Sequence, residues 1–185
     1  MEIILGSQSP RRRELLAGMG IDFTTVNIHA DESFPHDLKG ADIPLYISRA
    51  KAEAFRNQLK PNQLLITADT IVWVDGEQLG KPLDEKDAKR MLRLLSGKTH
   101  QVFTGVTLTS LDKQISFSDA TDVTFRAINA DEIEHYVHTY RPLDKAGAYG
   151  IQEWIGYVAC TSLNGSYFNV MGLPTEKLYE ALRAF

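Results

Sequence analysis

Short apolar runs alternate along the chain with stretches whose apolar residues recur at helical spacing. Glu2-Ile3-Ile4-Leu5 opens as a strand. Ser9-Pro10 marks a helix start, with a side-chain oxygen at the N-cap and a proline whose missing N–H costs nothing at the first helical position. That helix runs to about Gly18–Gly20, and Asp22 to Ile28 reads as a strand. The polar stretch from His29 to Gly40 reads as a loop. Ile43 to Leu59 is helical, with Ile47, Lys51, Phe55 and Leu59 in one i, i+4 row. Leu64 to Val74 is a nearly unbroken apolar strand, and Asp75-Gly76 after it signals a tight hairpin. Asp84 caps a helix to Leu95, which Ser96-Gly97 stops. Strands follow over Gln101 to Thr109 and Gln114 to Arg126, around a turn at Asp112-Lys113. Asn129 caps a helix to Tyr140, a glycine-rich loop follows, and a strand is expected over Tyr157 to Leu163. A last helix spans Pro174 to Phe185. Strands interleaved with helices and hairpins predict an α/β fold with a mixed sheet.

Nothing in the 185 residues resembles a linker or repeat, so a single domain over 1–185 is expected. The net charge of −4 argues against a broad nucleic-acid-binding face, while leaving room for a local basic site. Cys160 is the sole cysteine, which rules out an internal disulfide and argues against a Cys-based zinc centre. With no charged-then-apolar leader and no run of membrane-span length, the expectation is a cytoplasmic protein with no membrane partner.

Chemistry concentrates at a few positions. Helix N-termini carry partial positive charge and favour acids, yet this first turn holds Arg11, Arg12 and Arg13. Backbone N–H groups, the Ser9 hydroxyl and guanidinium forks there suit an anion, although the turn lacks the Walker pattern. The bland alternative is a solvated face on which the arginines pair with Glu14 or other surface acids. Asp69 is the one charged residue between Leu64 and Val74. A carboxylate there must be protonated, paired, metal-bound or at an exposed end, and it suits a general base or a metal ligand. A strand break at Ala68 that lets Asp69 cap a turn is the alternative. Lys51 in its apolar row and Lys81 in Gly80-Lys81-Pro82 read, taken alone, as snorkelling or surface lysines. Glu32, beside Asp31 in a polar loop, would share a hard cation with Asp69 if phosphates bind. No histidine has metal-ligand spacing with convincing partners, and no GxSxG elbow is present.

Several segments, in order, resemble the Maf family of nucleoside triphosphate pyrophosphatases. They are SxSPRRxELL at Ser7 to Leu16, Asp31-Glu32, Lys51-Ala52, ADT at Ala68 to Thr70, and GKP at Gly80 to Pro82. Further along come LSGKTHQVFTGV at Leu95 to Val106, PLDKAGAYGIQ at Pro142 to Gln152, and GLP at Gly172 to Pro174. The resemblance implies an elongated mixed sheet with helices on it, two lobes and a central cleft, as in Ham1 and ITPase-like proteins. It implies hydrolysis of a nucleoside triphosphate to the monophosphate and pyrophosphate with a divalent cation, Mg²⁺ or Mn²⁺. In that reading Asp69 accepts the proton, Ser9, Arg12, Lys51 and Lys81 bind the polyphosphate, and Glu32 joins Asp69 at the metal. Arg11, Thr70 and Gln152 match the branch that acts on dTTP and UTP, with modified pyrimidine nucleotides as further substrates. The 7-methyl-GTP branch instead carries a bulky aromatic, a glutamine and a glutamate. Gln152 offers both a donor and an acceptor, as a pyrimidine imide edge requires. Glu153-Trp154 stands where a glycine is common after the glutamine, which bears on uracil against thymine preference. The resemblance also implies a house-cleaning role and a homodimer. The competing readings are a pyrophosphatase for modified purine nucleotides and a nucleotide-binding regulator of septum formation.

Overall fold

The computed structural model describes residues 1–185. Seven strands form one sheet: β1 (Glu2–Leu5), β2 (Phe23–Thr25), β3 (Gln63–Val74), β4 (Glu77–Leu79), β5 (Thr99–Thr109), β6 (Gln114–Phe125) and β7 (Cys160–Asn164). Their order is β2-β1-β3-β5-β6-β7, with β4 paired to β3. β1 lies parallel to both β2 and β3, whereas the β3–β4 and β6–β7 pairs are antiparallel, so the sheet is mixed. The helices are α1 (Pro10–Gly18), α2 (Asp42–Arg56), α3 (Glu85–Leu95), α4 (Ala130–Tyr140), α5 (Trp154–Ala159), α6 (Tyr167–Met171) and α7 (Thr175–Ala184). No helix is long and apolar enough to cross a membrane.

Most boundaries lie where local chemistry places them. The Ser9 side chain accepts from the Arg12 N–H, Asp84 caps α3 through the Asp87 N–H, and Asn129 with Glu132 forms a capping box on α4. Asp75 and Gly76 both have positive φ, 51° and 80°, as a tight β3–β4 hairpin requires. β3 runs unbroken through Ala68, so Asp69 sits inside a strand and caps no turn. The expected strand over Tyr157 to Leu163 is half helix: α5 continues to Ala159 and β7 starts only at Cys160. Ile155 and Ala159, one helical turn apart, are both fully buried, and that burial outweighs the β-propensity of Tyr157 and Val158.

The chain folds as two compact units. The first holds Met1–Asp69, Thr104–Asp119 and Gly172–Phe185; the second holds Thr70–Phe103 and Ala120–Met171. In the first, α2 covers the sheet with Ala52 and Phe55 against Ile4 and Leu65. A Cβ on Gly105 of β5 would lie 2.4 Å from the Pro44 carbonyl carbon, so the start of α2 rests directly on strand backbone. In the second, Ala88, Met91 and Leu92 of α3 and Ile133 and Val137 of α4 pack with Val72, Val102 and Phe125.

Candidate active site

Helix α2 and strand β3 place the central charges. Lys51 follows Ile47 by one turn on the face that α2 buries, so its stem lies along apolar surface and its ammonium reaches the sheet. Lys51 Nζ lies 2.9 Å from Asp69 Oδ1 and 3.0 Å from Glu32 Oε1. The Lys51 and Asp69 side chains are only 12% and 15% exposed, against 55% for Glu32. The isolated acid of β3 thus has its cation, and one ammonium gathers two acids from a strand and a loop.

The start of α1 brings Arg12 to the same unit. Its Nε donates to the Gly172 carbonyl at 2.8 Å, and Nη1 lies 3.5 Å from Ser7 Oγ, which also accepts from the Ser9 N–H. Burial pulls the Arg12 guanidinium below its ordinary pKa. Asp69 acts in the opposite direction, Arg11 adds to the lowering, and Glu32 opposes it. Arg12 therefore feels both acids held by Lys51. Arg13 points elsewhere, donating to the Gln8 carbonyl on the surface. The three arginines are not one block, and the cation facing the acids is Arg12. Arg11 is half-buried beside it.

Thr70, Lys81 and Gln152 belong to the second unit. Lys81 is exposed just beyond β4, and Thr70 is half-buried in β3. The loop holding Gly80 is tied to the 146–148 turn by a 3.0 Å bond from the Gly147 N–H to the Gly80 carbonyl. Gln152 follows that turn, and its Oε1 is buried with no hydrogen-bond partner. A buried acceptor left unpaired costs about 1–3 kcal/mol, a cost recovered when a donor arrives.

A divalent cation fits the donor set. Glu32 and Asp69 offer hard carboxylate oxygens, each paired with the Lys51 ammonium in this structure, and no group of three or more His, Cys, Asp or Glu side chains is arranged to hold a metal ion. Mg²⁺ commonly takes one or two carboxylates and completes its shell with substrate phosphates and water, and these two carboxylates suit that mode. Sequence reasoning did not assign roles to Ser7, to the Gly172 carbonyl, or to Lys145 and Tyr136, and it noted Glu153 beside Gln152 only as a departure bearing on base preference. Ser7 and Gly172 lie within motifs already recognised, whereas Tyr136 lies on α4 with no local signal.

The sequence matches the family described as "Maf-like protein" over residues 2–185. A Bacteroides thetaiotaomicron protein named dTTP/UTP pyrophosphatase is 56% identical over 183 residues, covering 98% of this chain and 95% of that one. A Parabacteroides distasonis protein of the same name is 49% identical over 185 residues, covering 100% and 96%. Among solved structures, a nucleoside-triphosphatase / dITP/XTP pyrophosphatase from Mycobacterium abscessus aligns over 99% of this chain and 95% of that chain, at 13% identity and a TM-score of 0.46. Matched over nearly its whole length by the family description and by relatives about half identical to it, the chain belongs to the Maf family.

Proposed function

We propose that this protein is a nucleoside triphosphate pyrophosphatase that converts dTTP and UTP to the monophosphate and pyrophosphate. The observation that carries the reading is the Lys51 ammonium held between Asp69 and Glu32. The names of the full-length relatives support the substrate choice. Modified pyrimidine nucleotides are further substrates in this reading, which makes the protein a house-cleaning enzyme of the cytoplasmic nucleotide pool, acting as a homodimer.

The N–H groups and Ser9 hydroxyl at the start of α1, together with Arg12, bind phosphate oxygens, as a helix N-terminus and a guanidinium fork do. Lys51 adds a point charge, and Lys81 is assigned to the polyphosphate on family resemblance. Glu32 and Asp69 would hold Mg²⁺ or Mn²⁺, which when bound neutralises charge on the phosphate oxygens. Asp69 accepts a proton from water as the water oxygen bonds to the α-phosphorus. The bond from that phosphorus to the α–β bridging oxygen breaks, and pyrophosphate leaves. Positioning and charge neutralisation supply most of the acceleration. Gln152 reads the base through its unpartnered oxygen, and Arg11 and Thr70 act with it in substrate selection.

The test is pyrophosphate release from dTTP, UTP, CTP, 7-methyl-GTP and the common NTPs, with and without Mg²⁺, by the wild type and Asp69→Asn. Activity should be highest on dTTP and UTP and should require the metal. Asp69→Asn should lose about 10²–10⁴-fold in kcat while still binding dTTP. Turnover of 7-methyl-GTP with none of dTTP would overturn the substrate choice, and wild-type rates in Asp69→Asn would remove the base.

A further inference from the structure

The residues around Gln152 are held far more tightly than a binding loop needs in order merely to exist. Gly147 and Ala148 both have positive φ, 68° and 60°, in a buried turn where a Cβ on Gly147 would lie 2.8 Å from Val72 Cγ2. The Gly147 N–H is engaged by the Gly80 carbonyl. Two residues beyond Ala148, the Gly150 N–H donates to the Tyr136 hydroxyl oxygen at 3.0 Å. The same hydroxyl donates its proton to Glu153 Oε2. Glu153 Oε1 lies 3.1 Å from Lys145 Nζ, and Lys145 also reaches Asp144 Oδ1 at 2.8 Å. Tyr136 is fully buried, while the Lys145 and Glu153 side chains are 9% and 19% exposed.

Glu153 occupies the N-cap position of α5, where a side-chain oxygen commonly accepts from the first-turn N–H groups, yet it makes no capping bond. Its carboxylate turns back toward Tyr136 and Lys145 instead. One hydroxyl on α4 therefore anchors both ends of the four-residue segment from Gly150 to Glu153, and Gln152 lies between the anchors. A Cβ on Gly150 would meet Glu153 Cδ at 3.0 Å, Gln152 Nε2 at 3.1 Å and Lys145 Cε at 3.1 Å. The amide nitrogen of Gln152, the Glu153 carboxyl and the Lys145 stem therefore all border the space above Gly150. The Glu153 carboxylate on that side favours the –NH₂ end of the amide, and the Lys145 ammonium, 3.1 Å from that carboxylate, offsets part of the preference. The carbonyl oxygen is the buried atom left without a partner.

Orientation matters because turning an amide over exchanges its donor and its acceptor. Uracil and thymine present an N3–H donor beside a carbonyl acceptor. Cytosine presents an N3 acceptor beside an amino donor, which is the inverted pattern. A glutamine free to flip serves both. We propose that Lys145, Glu153 and Tyr136 are positioning residues that lock the Gln152 amide in one orientation, so that the imide edge of uracil or thymine is accepted and cytosine is refused. The inference rests on the dTTP/UTP reading above.

The experiment compares kcat and KM for UTP and CTP in the wild type, Tyr136→Phe and Glu153→Gln, alongside their thermal midpoints. The UTP-to-CTP ratio of kcat/KM should fall about tenfold in both variants, the size expected from a weakened hydrogen bond. The change should come from a lowered KM for CTP, with KM for UTP and kcat within about twofold. Glu153→Gln keeps an acceptor for Tyr136 and carries the same test should Tyr136→Phe fail to fold. An unchanged ratio in a folded variant, or an equal loss of kcat on both substrates, would overturn the lock. A wild type that does not discriminate UTP from CTP would instead overturn the substrate reading beneath it.

Discussion

His100 shows what a single buried side chain costs this fold. It is 1% exposed, with Nε2 2.6 Å from the Tyr149 hydroxyl, Nδ1 without a partner, and the Phe125 ring against its edge. Burial lowers its pKa from 6.5 to about 4. The neutral ring is favoured in the folded state, so between those values the unfolded chain binds more protons and stability rises with pH. The contribution is complete above about pH 6.5 and is lost as pH falls toward 4, at most about 3 kcal/mol in all. Urea unfolding at pH 7 and pH 4.5 should show this loss, and His100→Gln should flatten it; an equal slope in the variant would assign the effect elsewhere. At this scale the sequence was unequally informative. Asp69 stood out because one acid in an apolar strand needs a partner. Lys51 read alone as a snorkelling lysine, since its partners Asp69 and Glu32 come from a strand and a loop well away in sequence. Local sequence left Arg12 and Arg13 alike and only the family resemblance picked out Arg12, whose Nε the Gly172 carbonyl, 160 residues on, takes.

At the scale of elements, the placing of Lys51 depends on how closely α2 can approach the sheet. Gly105 of β5 makes that approach possible, since its absent Cβ would sit 2.4 Å from Pro44 C and 2.5 Å from Leu45 N. Backbone cannot yield as a flexible side-chain end can. Gly105→Ala should therefore cost about 3 kcal/mol in urea unfolding and lower turnover as Lys51 is displaced from Asp69. A variant as stable and as active as wild type would show that α2 does not depend on this contact. Helix starts were the most legible elements: Ser9-Pro10, Asp84 and Asn129 each announce a cap that the structure contains. The α5–β7 junction was the least legible, because Ile155 and Ala159 commit to a helix by burial that no local propensity reveals.

For the molecule as a whole, ligand binding should appear as stability. Asp69→Asn, which should bind without turnover, provides the clean measurement. With dTTP and Mg²⁺ at a hundred times Kd, linkage gives about 2.7 kcal/mol. For a chain of this size that is roughly 5–11 °C in thermal midpoint. CTP at the same concentration should shift it less, and an equal shift would argue against base recognition. The sequence by itself determined the alternation of strands and helices, the caps, the anomalous acid of β3 and the basic start of α1. Those are local properties, written in hydrophobic period, capping chemistry and isolated charge. Tertiary structure alone decided which charges meet and which atom is left waiting. Lys51 between Asp69 and Glu32, Arg12 on the Gly172 carbonyl, and the Tyr136 hydroxyl holding both ends of the Gln152 segment all join residues far apart in the chain. The physical reason is that a side chain's partner depends on how elements pack, and packing follows from the burial of the whole core rather than from any short stretch of sequence.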